Sequence, residues 1–148
     1  MDTQSAKRPL TGDKTIFIVE DNGIYAKSLQ AFIQSHFHNI TEAKIFNIGE
    51  MSLMEMHHKP IVIIMDYYLN SKYAEAHNGL EIIEVIKTHH PETNIIVLSS
   101  QTDSNIILEA INKFDCFYVH KDQEAFNKIE LYINQIINND STPPGPWN

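Results

Sequence analysis

Three short aliphatic runs are the feature of this sequence that most restricts its fold, because each is apolar at every position. They are IFIV at residues 16–19, IVIIM at 61–65 and IIVL at 95–98. A strand without a polar face is typical of the centre of a parallel sheet covered by helices on both sides. More mixed runs at 41–46 and 116–119 predict two further strands at the sheet edges. We therefore predict strands at 15–19, 41–46, 61–65, 95–98 and 116–119.

Apolar residues recur at helical spacing in the segments between these strands. The clear sets are Tyr25, Leu29, Phe32, Ile33 and Phe37; Leu80, Ile83 and Ile86; Ile107, Ala110, Ile111 and Phe114; and Phe126, Ile129, Ile133 and Ile136. The segment 48–57 is weaker, and only Met51 and Met54 are expected to face inward there. Five strands alternating with five helices predict an α/β fold with a doubly wound parallel sheet.

Composition and charge exclude several classes of function. The chain has 148 residues, enough for one domain, and its net charge of −8 argues against direct binding of nucleic acid or anionic membranes. Cys116 is the single cysteine, and neither a signal peptide nor a membrane-spanning run is present, so we expect a cytoplasmic protein. The eight histidines lack zinc-ligand spacing, and no histidine metal site is expected. Polar or proline-rich ends at 1–13 and 140–148 predict flexible segments around a domain at 14–139.

Polar side chains follow four of the predicted strands at the point where each strand ends. They are Glu20 and Asp21 after the first, Asp66 after the third, Ser99 after the fourth and Lys121 after the fifth. Parallel sheets bind ligands at the carboxyl ends of their strands, where the strand order reverses. Each residue alone could be a turn residue, a helix cap or a solvated side chain. If the strand order is 2-1-3-4-5, however, three carboxylates, a hydroxyl and an ammonium meet at one edge.

Three carboxylates gathered together favour a hard divalent cation, since they would otherwise repel one another. We expect Mg²⁺ with Asp21 and Asp66 as direct ligands, Glu20 bound directly or through water, and the backbone carbonyl of Tyr68 as a further ligand. Lys121 would lie opposite as a fixed positive charge. Such a site can stabilise a transferring phosphoryl group while Asp66 attacks as a nucleophile and becomes an acyl phosphate.

Five motifs in order resemble the receiver domains of response regulators in bacterial two-component signalling. They lie at residues 16–22, 63–69, 78–81, 96–100 and 117–121, and the resemblance covers about residues 14–138. It implies a flavodoxin-like fold with strand order 2-1-3-4-5. Too few residues follow the last helix for an output domain. We therefore expect a stand-alone, chemotaxis-type regulator or a domain taken from a longer protein.

The resemblance also implies a mechanism. A histidine kinase or phosphotransfer protein would pass a phosphoryl group to Asp66. The hydroxyl of Ser99 and the amine of Lys121 would each contact a phosphoryl oxygen, and the ring of Tyr118 would turn inward. A downstream target protein would then read the changed face of helix 4, strand 5 and helix 5, which is also a possible homodimer surface.

Two positions and one loop extend these expectations. The resemblance implies that Tyr68 and Gln101 tune the lifetime of the phosphoryl group. The link from Asp66 to Gly79 is longer than is usual in the family. Its tip at residues 71–77 either overhangs the site, where it gates access or contacts a partner, or is a tolerated surface insertion. Serine at position 99 replaces the commoner threonine and keeps the hydroxyl.

Two alternatives stay open at this point. One is a degenerate receiver that binds partners without phosphorylation, against which the intact acids and lysine argue. The other is a Mg²⁺-dependent phosphatase, which would need a second acid two residues after the nucleophile, where Tyr68 stands. We expect a phosphoryl acceptor with at most slow self-dephosphorylation and no enzyme of another kind.

Overall fold

The computed structural model describes residues 14–47, 49–67, 79–100 and 104–138. Five strands and five helices alternate along them. The elements are β1 (Thr15–Val19), α1 (Gly23–His36), β2 (Glu42–Phe46), α2 (Gly49–Leu53), β3 (Val62–Asp66), α3 (Gly79–His89), β4 (Asn94–Ser99), α4 (Ser104–Phe114), β5 (Phe117–His120) and α5 (Ala125–Ile137). A short 3₁₀ helix, Met56–His58, follows α2.

The strands form one sheet in the order β2-β1-β3-β4-β5, and every neighbouring pair is parallel. The predicted doubly wound α/β fold is therefore confirmed, and so are the edge positions of the second and fifth strands. The order reverses between β1 and β3, so the carboxyl ends of these two strands are direct neighbours. This is the position at which open parallel sheets bind ligands.

The sheet is buried on both faces, and its residues alternate between two cores. Ile16, Ile18, Ile64 and Ile96 belong to the core under α1 and α5, whereas Phe17, Ile63, Met65 and Ile95 belong to the core under α3. This alternation follows from the two-residue period of a strand. It explains why the central strands need an apolar residue at every position: helices cover both faces.

The predicted inward orientation of Met51 and Met54 is wrong. Met51 is 48% exposed and Met54 is 76% exposed, while Ser52 and Met56 are buried. The helix α2 is only five residues long and ends before Met54, which lies in the following turn. Successive residues of a helix differ by about 100° in direction, so the orientation that buries Ser52 turns Met51 towards solvent.

Several expectations fall on other parts of the chain. The predicted flexible ends and the link at residues 71–77 lie outside the described residues, so the domain boundaries stay predictions. Within the described ranges, no helix is long and apolar enough to cross a membrane.

Candidate functional site

The carboxyl edge of the sheet brings together the polar residues that follow the strands. Asp66 is the last residue of β3 and is still paired with Leu98 on β4. Beyond β5, the amide of Lys121 donates to the carbonyl of Ser99 over 2.9 Å. Beyond β1, the amide of Glu20 donates to the carbonyl of Phe46 over 2.9 Å. Main-chain hydrogen bonds therefore fix each of these residues relative to a neighbouring strand.

Three carboxylates meet at this edge. Glu20, Asp21 and Asp66 each offer an oxygen, and these oxygens all lie within 4.8 Å of one another. Glu20 is 1% exposed and Asp66 is 6% exposed, whereas Asp21 is half-buried. Carboxylates this close and this far from water repel one another unless a positive charge compensates them.

Lys121 supplies a positive charge to this group of acids. Its Nζ atom lies 2.7 Å from Oε1 of Glu20 and 3.3 Å from Oδ2 of Asp66. The lysine side chain is itself only 16% exposed. A single ammonium thus bridges two buried carboxylates, which leaves the group of four charges with a net negative charge.

The pKa values in the site reflect this imbalance. Burial, followed by the negative charge of Glu20, raises the pKa of Asp66 to about 7 against the partial opposition of Lys121. Burial by itself would lower the pKa of Lys121, but the close carboxylates of Glu20 and Asp66 outweigh burial and raise it. The lysine is therefore held as a cation, while Asp66 is only partly ionised near neutrality.

The environment of Glu20 tests whether the residues fit a divalent cation. Its Oε2 atom accepts a hydrogen bond from the amide of Asn22 over 3.0 Å. Its Oε1 atom is buried and in ionic contact with Lys121, but it accepts no directed hydrogen bond from the described part of the chain. The ammonium of Lys121 therefore engages this oxygen, and the fit to a cation rests on the three carboxylates together. Glu20, Asp21 and Asp66 offer oxygens within 4.8 Å of one another, which matches the all-oxygen donor set that Mg²⁺ prefers. The residues therefore fit the ion.

The sequence was compared with models of known protein families. The model of the response regulator receiver domain matches residues 16–132. The chain belongs to the response regulator receiver family. A comparison with curated protein sequences gave no match.

Solved structures of other receivers share the fold. A signal receiver domain of an HD domain-containing protein from Pseudomonas fluorescens Pf-5 is 19% identical with a TM-score of 0.72, covering 89% of this chain and 92% of that one. DrrB, an OmpR/PhoB homologue from Thermotoga maritima, is 21% identical with a TM-score of 0.70, covering 88% and 55%. RcsB from Salmonella typhimurium is 21% identical with a TM-score of 0.70, covering 92% and 64%. At these identities, the likeness is one of fold.

Of the four other residues predicted for the receiver site, the structure describes two. Ser99 is fully buried at the end of β4, next to Lys121 through the main-chain hydrogen bond. Tyr118 is half-buried on β5, with its hydroxyl 3.5 Å from Nδ1 of His120. Tyr68 and Gln101 lie outside the described residues. The roles of all four stay predictions.

Sequence reasoning missed one member of the receiver site. The ring of Tyr25, in the first turn of α1, lies under Lys121 with the Nζ atom 4.5 Å from the ring centroid. The helical spacing of the sequence assigned Tyr25 to the inward face of α1 and gave no signal for this contact, which depends on how α1 packs beside α5.

A second group of possible metal ligands lies away from the receiver site. Glu55, His57 and His58 have donor atoms within 4.8 Å of one another on the segment after α2. Both histidines are exposed, and Glu55 already contacts Lys44 and His58 over 3.2 Å each. The carboxylate of this group is therefore already engaged by the ammonium of Lys44.

Proposed function

We propose that this receiver domain is a phosphoacceptor switch, in which Asp66 takes a phosphoryl group from a histidine kinase or a phosphotransfer protein. The observation that carries the proposal is the position of Asp66. Its carboxylate is grouped with those of Glu20 and Asp21 within 4.8 Å, and it lies 3.3 Å from the amine of Lys121. A nucleophilic carboxylate between a cation site and a fixed ammonium suits phosphoryl transfer.

Mg²⁺ would be held by Asp21 and Asp66, by Glu20 directly or through water, and by the backbone carbonyl of Tyr68. Bound there, it would neutralise charge on the phosphoryl oxygens and on the carboxylates. An oxygen of Asp66 forms the new bond to phosphorus, and the phosphorus–nitrogen bond of the donor phosphohistidine breaks. The electron pair of that bond stays on the imidazole. The raised pKa of Asp66 supports a need for a cation, because a nucleophilic carboxylate must be ionised.

The chain's own residues would convert the new charge into a signal. The amine of Lys121, now 3.3 Å from Asp66, is close enough to pair with a phosphoryl oxygen instead. The buried hydroxyl of Ser99 would bond a second oxygen, and the half-buried ring of Tyr118 would turn inward. Such a switch is a population shift, so the modification must favour the active state by several kcal/mol. A downstream protein would read the α4–β5–α5 face, where homodimerisation also stays a prediction.

Acetyl phosphate with Mg²⁺ tests the proposal directly. Intact-protein mass spectrometry of the wild type should show the gain of one phosphoryl group, and Asp66→Asn should show none. Asp122→Asn is the matched control, because Asp122 is an exposed acid one residue after Lys121. A wild type that gains nothing, or an Asp66→Asn variant that gains as much, would refute the assignment.

The two alternatives give different results in the same assay. A degenerate receiver would take no phosphoryl group, although the buried contact between Lys121 and Glu20 argues for a functional site. A phosphatase would turn over a small phosphoester many times. A receiver instead releases at most slowly the single group that it carries.

A further inference from the structure

A row of aromatic rings lines the contact between α1 and α5 and ends at the receiver site. Phe32 packs on Phe126 with ring centroids 5.2 Å apart, and Phe126 meets the edge of Tyr25 over 5.5 Å. Tyr25 is the last ring of the row. Its face carries the ammonium of Lys121, with Nζ 4.5 Å from the ring centroid.

One contact fixes the ring of Tyr25, and another fixes its backbone. Phe126 contacts it at an interplanar angle of 77°, which is the edge-to-face arrangement that aromatic pairs prefer. The backbone amide of Tyr25 donates to Oδ1 of Asn22 over 3.0 Å, which caps the start of α1. A ring held in this way offers a preorganised surface to the cation above it.

An ammonium over an aromatic face is attracted by the negative face of the ring, and the attraction grows as water is removed. The side chain of Lys121 is 16% exposed, so water competes little with the ring. The other partners of the ammonium are Glu20 and Asp66, whose oxygens are also the proposed ligands of a cation. An aromatic carbon surface is no ligand for a hard cation. The pull of the ring therefore does not depend on what the carboxylates bind.

We propose that Tyr25 is a positioning residue for phosphoryl transfer, whose ring holds the amine of Lys121 over Asp66. This role rests on the proposed function of Asp66. Tyr25 touches neither the phosphoryl group nor the reacting oxygen in the proposal; it acts through Lys121.

Two substitutions of Tyr25 distinguish the effect of the aromatic ring from the effect of the hydroxyl. The hydroxyl is buried, and within the described residues it has no hydrogen-bond partner. Removing it in Tyr25→Phe therefore breaks no hydrogen bond to the described residues and keeps the ring face. Tyr25→Leu removes the face and keeps an apolar side chain at the same position.

The kinetic test compares the rate of phosphorylation by acetyl phosphate at saturating Mg²⁺, measured by intact-protein mass. Tyr25→Leu should be slower by about 3- to 30-fold, the size expected for a partly buried cation–π contact. Tyr25→Phe should restore most of the rate. Tyr132→Leu is the control, because Tyr132 packs on Phe117 in the same core.

A double-mutant cycle distinguishes positioning from a general loosening of the core. In a Lys121→Met background, Tyr25→Leu should cause no further slowing, because the amine that it positions is gone. An equal further slowing in that background would refute the role. So would a Tyr25→Phe variant as slow as Tyr25→Leu, since the ring would then not be the active part.

A second readout needs no phosphorylation. The face of an aromatic ring shields the protons above it, so the ε-methylene protons of Lys121 should resonate upfield in the wild type and in Tyr25→Phe. In Tyr25→Leu they should return towards ordinary lysine values. Unchanged shifts in Tyr25→Leu would refute the contact, whereas a wild type that takes no phosphoryl group would refute the proposed function.

Discussion

The ammonium nitrogen of Lys121 lies 2.7 Å from Oε1 of Glu20, a carboxylate that is only 1% exposed. Lys121 is the basic partner that the structure gives this buried acid, and it shares its charge with Asp66. A buried charge that loses its partner destabilises the folded state strongly, because it has left water without compensation. The pair therefore links the stability of the domain to the chemistry of the site.

Lys121→Met should lower the free energy of unfolding by about 2 to 4 kcal/mol at neutral pH, as expected when one member of a buried ion pair is removed. Urea denaturation measures the loss. Lys44→Met is the matched control, since Lys44 and Glu55 form an ion pair over 3.2 Å with side chains 38% and 32% exposed. That exposed pair should contribute less than about 1 kcal/mol. Equal losses in the two variants would contradict the argument from burial.

Asp66→Asn should stabilise the protein without a metal, and the gain should depend on pH. Burial and the charge of Glu20 raise the pKa of Asp66 from 3.8 to about 7. Between these values the folded state binds more protons than the unfolded state, so the free energy of unfolding falls as pH rises through this window. The destabilisation is complete above about pH 7 and absent below about pH 4.

Urea denaturation in a chelator measures this difference. Asp66→Asn should be more stable than the wild type by on the order of 2 to 4 kcal/mol at about pH 8, and nearly equal to it at about pH 4. Asp122→Asn changes an exposed acid and should leave the pH profile unaltered. An Asp66→Asn variant that is less stable than the wild type at about pH 8 would show that the carboxylate is stabilising instead.

Mg²⁺ should raise the thermal stability of the wild type, because a ligand that binds only the folded state shifts the unfolding equilibrium. At a hundredfold excess over the dissociation constant, the gain is about 2.7 kcal/mol. Asp21→Asn should weaken this response, since the proposed cation site loses a direct ligand. Glu55→Gln removes the acid of the other possible metal group and should respond as the wild type does. If Glu55→Gln lost the response to Mg²⁺ and Asp21→Asn kept it, the metal would bind at the group that contains Glu55 instead.

Much of the fold could be predicted because the strands are apolar at every position. Continuous burial and edge positions follow from where the aliphatic runs lie, and the structure confirms them. The strand order 2-1-3-4-5 was implied by the resemblance to receiver domains, and it is confirmed as well. The third strand was predicted at 61–65 but is observed at Val62–Asp66. It extends to Asp66 because the pairing of β3 with β4 continues as far as the pair of Asp66 with Leu98. The prediction of which residues of α2 face inward was wrong, because a helix of five residues is too short for its sequence to show a periodic apolar face.

The grouping of the site residues was predictable for a different reason. The site residues lie at the carboxyl ends of parallel strands: Asp66 is the last residue of β3, and Glu20 and Lys121 directly follow β1 and β5. The carboxyl ends of parallel strands share one edge of the sheet regardless of how the side chains pack. The ring of Tyr25 lies on a helix, and its contact with Lys121 depends on the angle at which α1 packs beside α5. No spacing in the sequence encodes that angle.

Asn22→Ala should destabilise the domain by about 1 kcal/mol, because Oδ1 of Asn22 accepts the amide of Tyr25 at the start of α1. Asn22→Ser should restore most of the loss, since serine caps helices about as well as asparagine does and adds no charge beside the three carboxylates. Asn127→Ala is the control: Asn127 lies in the first turn of α5, and among the described residues its side chain donates to the side chain of Glu124. Alanine has the higher helix propensity there, so this change should be neutral or slightly stabilising in urea denaturation. A loss in Asn22→Ala that Asn22→Ser does not recover would show that the side chain does not act as a cap.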